Sequence, residues 1–166
     1  MWLMQLPTFY YLIPSLMLAL LIRVKCRSFR LFAAFLFIGV FIHETLHLIT
    51  GAFLGAKPVG MSIIPKRGRQ GTMELGSVCF SNIAWYNALP LALAPLLGLP
   101  LALAAAHLRV TGGWAVQWID APIWTVLASV LLICWPSSTD WRISLRSWPL
   151  YLGAGMYFAW DYLPFA

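Results

Sequence analysis

His43, Glu44 and His47 form a His-Glu-x-x-His motif in a chain with only three His and two Glu. On a helix, residues four apart project from one face, one turn above the other, so two imidazoles can hold one Zn²⁺. Glu44 then lies beside the metal, placed to take a proton from a water in the site. The chemistry this predicts is metal-assisted hydrolysis, with His43 and His47 as ligands and Glu44 as general base. The plainer alternative is a buried hydrogen-bonded cluster or a site for some ligand other than a metal. Against it, a charge at membrane depth costs about 2.5–3.5 kcal/mol on insertion scales, and such groups usually face a bundle interior and serve a function there.

The element that must position these residues is a long apolar run from Leu31 to Ala56, in which His43, Glu44 and His47 are the only ionisable residues. A segment that spans a bilayer must satisfy its own backbone hydrogen bonds, so the run reads as a helix. The rest of the chain agrees with that setting. Its 166 residues are 61% hydrophobic and 10% charged, with a mean hydropathy of +0.82. A soluble domain of this size could not bury so much apolar surface, so the composition indicates an all-α polytopic membrane protein in a lipid bilayer.

A net charge of +6 would suggest nucleic acid in a soluble protein. Here the basic residues cluster in short loops beside apolar runs, so membrane orientation explains them and no nucleic-acid partner is expected. Nine Trp fit interfacial belts. Cys26, Cys79 and Cys134 form neither a Cys-x-x-Cys nor an even disulfide framework.

Five spans are expected, at about 6–22, 31–56, 87–107, 122–135 and 147–164, in a single domain covering 1–166. The first has no basic leader and reads as a span rather than a cleaved signal, bent or started late by Pro14. The third carries Pro90, Pro95 and Pro100, which predict kinks and freed carbonyls. Between the second and third spans, Val59–Ile64 and Met73–Phe80 lean towards β-structure around a Pro65-to-Gly71 turn. A hairpin there could take an extended peptide by strand addition; an ordinary interfacial loop fits the sequence equally well.

Two histidines leave a catalytic zinc one protein ligand short. Glu74, His107, Asp120, Asp140 and Asp161 are the candidates. With five spans, the second and fourth run parallel and end on the same side. The motif centre lies about 14 Å from that surface at about 1.5 Å per residue. Asp140 follows the fourth span at the matching end, and an unwound stretch after Pro136 would bring it to depth. His107, Asp120 and Asp161 fall towards the opposite face, and Glu74 lies in a loop. The competing reading of Asp140 is a helix cap in Ser-Ser-Thr-Asp-Trp.

With these residues in view, the chain resembles the site-2 protease family of intramembrane zinc metalloproteases. The resemblance rests on His43-Glu44-x-x-His47 in a spanning helix, the β-leaning segment after it, Ala94-Pro95-Leu96-Leu97-Gly98 in the next span, and a later Asp140. It covers about residues 31–141. It implies that His43, His47 and Asp140 bind zinc, that Glu44 is the base, and that the substrate is a membrane-anchored protein cut within or beside the bilayer. The later motif of the family, Asn-x-x-Pro-x-x-x-x-Asp-Gly, is altered here: Pro136 stands four residues before Asp140 and Trp141 replaces the Gly.

The rival reading is a non-proteolytic membrane protein that binds metal or transports an ion. Haem ligation by His43 and His47 together is disfavoured, because both project from one face of one helix. A metalloprotease with a Glu ligand on a later helix would need more than Glu74 offers. For orientation, six basic residues fall on the side of the 57–86 loop against five on the other. The resemblance points the same way, to a bacterial inner membrane with a cytoplasmic N-terminus and the zinc site opening to the cytoplasm.

Overall fold

The computed structural model describes residues 6–26, 28–67, 73–112 and 115–159. The chain is mostly helical: α1 (Leu6–Lys25), α2 (Phe29–Phe53), α3 (Trp85–Leu93), α4 (Gly98–Thr111), α5 (Asp120–Ile133), α6 (Ser138–Ser144) and α7 (Trp148–Ala159). Between α2 and α3 lie four short strands, β1 (Pro58–Ser62), β2 (Lys66–Arg67), β3 (Met73–Glu74) and β4 (Ser77–Phe80). β1 pairs antiparallel with β4, Met61 opposite Val78, and β2 with β3, Lys66 opposite Glu74. The β-leaning segment is therefore a hairpin whose tip, 68–72, lies outside the described residues.

Among the described residues, three helical segments are long and apolar enough to cross a membrane: Pro7–Lys25, Leu31–Phe53 and Trp85–Thr111. The expected fourth and fifth spans do not stand as separate crossings. α5 has 14 residues and α7 has 12, or about 21 and 18 Å against a hydrocarbon core of about 30 Å. Asp120–Ile133 and Ser138–Phe158 instead form one pair bent by 51°, a fourth broken span at most. Pro136 is the cause, because it has no N–H with which to carry α5 onward. Pro14, by contrast, is accommodated within a continuous α1.

α2 ends in a Schellman turn. The Ala56 N–H donates to the Gly51 carbonyl at 2.8 Å and the Gly55 N–H to that of Ala52 at 3.3 Å, with Gly55 at φ +70°. That turn sends the chain into β1. Leu12, Ala102, Ala106, Leu127 and Val130 form a core shared by α1, α4 and α5. Outside it, large apolar side chains such as Leu20, Phe35 and Phe41 are exposed. Only 22–39% of each spanning segment is buried inside the molecule, so the outer faces suit hydrocarbon rather than water.

In the first half of α1, Thr8 Oγ1 lies 3.2 Å from His107 Nδ1, and the Tyr11 hydroxyl donates to Asp120. These bonds seat polar groups that would otherwise lie unpaired in apolar surroundings. They tie the first half of α1 to α4 and to the start of α5.

Candidate metal centre

α2 and α5 touch at Gly39. A Cβ there would lie 2.4 Å from the Ser129 carbonyl oxygen, so only glycine permits this approach. The Gly39 N–H donates to Ser129 Oγ at 2.8 Å. One turn further along both helices, His43 Nδ1–H donates to the Ile133 carbonyl at 2.7 Å. His47 Nδ1–H donates to the Leu91 carbonyl of α3 at 2.8 Å. Both rings are thereby fixed from behind, in the manner of metal-ligating imidazoles.

Two prolines make those carbonyls accessible. Pro95 has no N–H for the Leu91 oxygen, which takes the Ala94 N–H and the His47 ring instead. At the end of α5, a continued helix would send the Ser137 N–H to the Ile133 oxygen. The chain breaks at 134–137, and the Ser137 N–H donates to Asp140 Oδ2 at 2.6 Å. The Ile133 oxygen is left for His43. Sequence reasoning expected freed carbonyls at the prolines but not that they would orient the histidines.

The tautomers follow. A carbonyl oxygen only accepts, so each neutral ring carries its hydrogen on Nδ1 and a lone pair on Nε2. The two Nε2 atoms are 3.2 Å apart. Asp140 Oδ1 lies 3.3 Å from His47 Nε2, and Oδ2 lies 3.8 Å from His43 Nε2. All three residues are buried, between 6% and 8% exposed. Two lone pairs and a carboxylate at such distances repel one another unless a cation lies among them. A single proton serves only two of these atoms, whereas a metal ion serves all three. Tetrahedral zinc with bonds of about 2.0–2.1 Å sets its ligand atoms about 3.3 Å apart. The donor set fits.

Asp140 caps a helix and also stands beside the histidines. Asp140 N–H donates to Ser137 Oγ at 3.2 Å, closing a capping box at the start of α6. The same carboxylate faces the histidines, so the cap holds it beside them. The remaining candidates are elsewhere. Glu74 is opposite Lys66 in the hairpin, His107 meets Thr8, and Asp120 is bound by Arg109. Asp161 lies outside the described residues.

Glu44 is buried beside this group, 6% exposed. Among the described residues no hydrogen-bond donor engages its carboxylate. The hairpin covers it: Gly76, just before β4, packs on Glu44 and on Val40 one turn earlier in α2. His43, His47 and Asp140 are thus brought together as a group able to hold a metal ion, with Glu44 adjacent. Compared with known proteins, the chain matches no family model, no curated protein and no solved structure.

Proposed function

We propose that the chain is an integral-membrane zinc endopeptidase acting on membrane-anchored protein substrates within or beside the bilayer, as the resemblance to the site-2 proteases implies. The observation that carries this reading is the convergence of three metal-ligating atoms, from His43, His47 and Asp140, beside a Glu44 carboxylate that no donor among the described residues engages. A purely structural cluster would be expected to pair its acceptors with donors.

Bound zinc supplies Lewis-acid polarisation of the scissile carbonyl and a water acidified towards neutrality. The chain supplies the rest. The Ile133 and Leu91 carbonyls keep His43 and His47 facing the metal, and the Ser137 cap keeps Asp140 there. Glu44 accepts the proton of the attacking water on a carboxylate oxygen and returns it to the leaving amine. A helical peptide bond is shielded by its own turn, so the substrate must be extended at the site. The β1–β4 sheet has only two strands, so each offers an outer edge on which such a segment could pair.

Lys57, Lys66 and Arg67 lie in the segment that follows α2 and forms the hairpin. That charge, with the resemblance, supports a cytoplasmic hairpin end in a bacterial inner membrane, with the site opening to that side.

The test is Glu44→Gln in purified full-length protein. The amide keeps the shape but cannot take the proton, so zinc content should stay at about one per chain while cleavage falls by about 10²–10⁴-fold. Wild-type turnover in this variant would show that another group is the base. Wild-type protein that binds metal but cleaves nothing would favour transport or simple metal binding.

A further inference from the structure

A Cβ built on Gly76 would lie 2.7 Å from Glu44 Oε1, 2.8 Å from Glu44 Cγ and 2.8 Å from Val40 Cγ1. Real side chains essentially never come so close, so any residue larger than glycine must displace the carboxylate or the strand. Val40 and Glu44 are one turn apart on α2 and share a face. Gly76 therefore rests across both, and its backbone forms one wall of the slot that holds Glu44.

No hydrogen bond among the described residues orients that carboxylate. His43 and His47 are each fixed by a backbone carbonyl and Asp140 by its cap, whereas the direction of Glu44 is set by packing alone. We propose that Gly76 is a positioning residue: the missing side chain at 76 lets the hairpin hold the Glu44 carboxylate in the direction its chemistry needs. The inference rests on the endopeptidase reading. It adds that the hairpin is a wall of the catalytic slot as well as a surface for substrate. Such an arrangement suits a general base, because a carboxylate held by shape keeps its oxygens free to accept a proton.

The mechanism predicts a particular split of effects. Gly76→Ala does not touch a metal ligand, so zinc content and thermal midpoint should stay near those of the wild type. KM should change less than about twofold, while kcat falls by about 10–100-fold, the scale of a displacement near 1 Å at a reacting group. Val40→Ala opens space on the far side of the added methyl. The double variant Val40→Ala/Gly76→Ala should therefore recover a large part of kcat, although Val40→Ala alone gains nothing. Gly76→Val should lose more than Gly76→Ala.

The experiment measures zinc content, thermal midpoint, kcat and KM for the full chain in lipid, with a membrane-anchored reporter as substrate. Wild-type kcat in Gly76→Ala would overturn the inference while leaving the endopeptidase reading intact. A raised KM with unchanged kcat would also overturn it, by assigning the position to substrate binding. Should Gly76→Ala fail to fold, Val40→Ala/Gly76→Val decides, since its larger side chain outgrows the space that Val40→Ala opens: a folded, zinc-bound protein with wild-type kcat overturns the proposal, and one with reduced kcat supports it. A wild-type chain that cleaves nothing removes the endopeptidase reading, and this inference with it.

Discussion

Asp120 and Asp140 are both buried carboxylates in an apolar helical protein, 0% and 7% exposed, yet their surroundings are opposite in kind. Asp120 meets four donors: Arg109 Nε at 2.8 Å, Arg109 Nη2 at 3.0 Å, the Gln117 N–H at 2.7 Å and the Tyr11 hydroxyl at 2.5 Å. Its charge is matched and its oxygens are filled, and it joins the start of α5 to α1 and α4. Asp140 meets the donors of its own helix start and then two imidazole nitrogens whose hydrogens point the other way. Burial of charge is common to both, so burial alone does not mark a functional site. A deficit of donors does, because acceptors gathered without hydrogens need a cation to complete them.

The largest effect that would break this comparison is loss of the metal. His47→Ala removes the ligand that lies within 3.3 Å of both other donor atoms, leaving one imidazole and one carboxylate. Zinc should fall from about one per chain to none in metal analysis of the purified protein, and His43→Ala should behave alike. The fold should survive, since the core around Leu12, Ala102 and Leu127 is not involved. Zinc retained at wild-type stoichiometry in both variants would mean that the three atoms are not its ligands.

The second test is the converse, at the other cluster. Arg109→Ala leaves the Asp120 carboxylate buried without its matching charge, and breaking such a pair is among the costlier single changes. The thermal midpoint should fall by about 10 °C, with zinc per folded chain unchanged. A variant that keeps its midpoint but loses zinc would reverse the roles given to the two clusters.

These contrasts also show what could be read from the sequence. The His-Glu-x-x-His spacing is local, and helical periodicity alone carries it into three dimensions. Asp140 could be found because Ser137 and Pro136 announce a helix break and a new start. Its convergence on the histidines depends on the Gly39–Ser129 contact between α2 and α5, a close approach that a lone glycine does not advertise. The separate fifth span failed for a related reason. Hydropathy registers α5 and α7 as apolar, but the bend at 134–137 joins them into one broken path. The contacts of Thr8 and Tyr11 were not legible, because their partners lie about a hundred residues away. Gly76 was invisible in the sequence, since its role is to be absent from the space beside Glu44.

The smallest of the expected effects tests how the second helix pair supports the site. Pro95→Ala returns an N–H to a position where the Leu91 carbonyl is now shared between Ala94 and the His47 ring. A regular turn would draw that oxygen into a backbone bond and away from Nδ1. The ring would then lose the contact that fixes its tautomer and direction, and loss of such outer partners typically costs about 10–100-fold in metal affinity. The helix itself should gain slightly, by about 0.5–1.5 kcal/mol for one restored hydrogen bond. The two effects therefore have opposite signs in one variant: weaker zinc binding by competition with a chelator, and equal or higher thermal stability of the metal-free protein. If zinc affinity is unchanged, the Leu91 carbonyl is incidental to the site. If affinity and metal-free stability fall together, Pro95 acts through packing of the whole span rather than through His47.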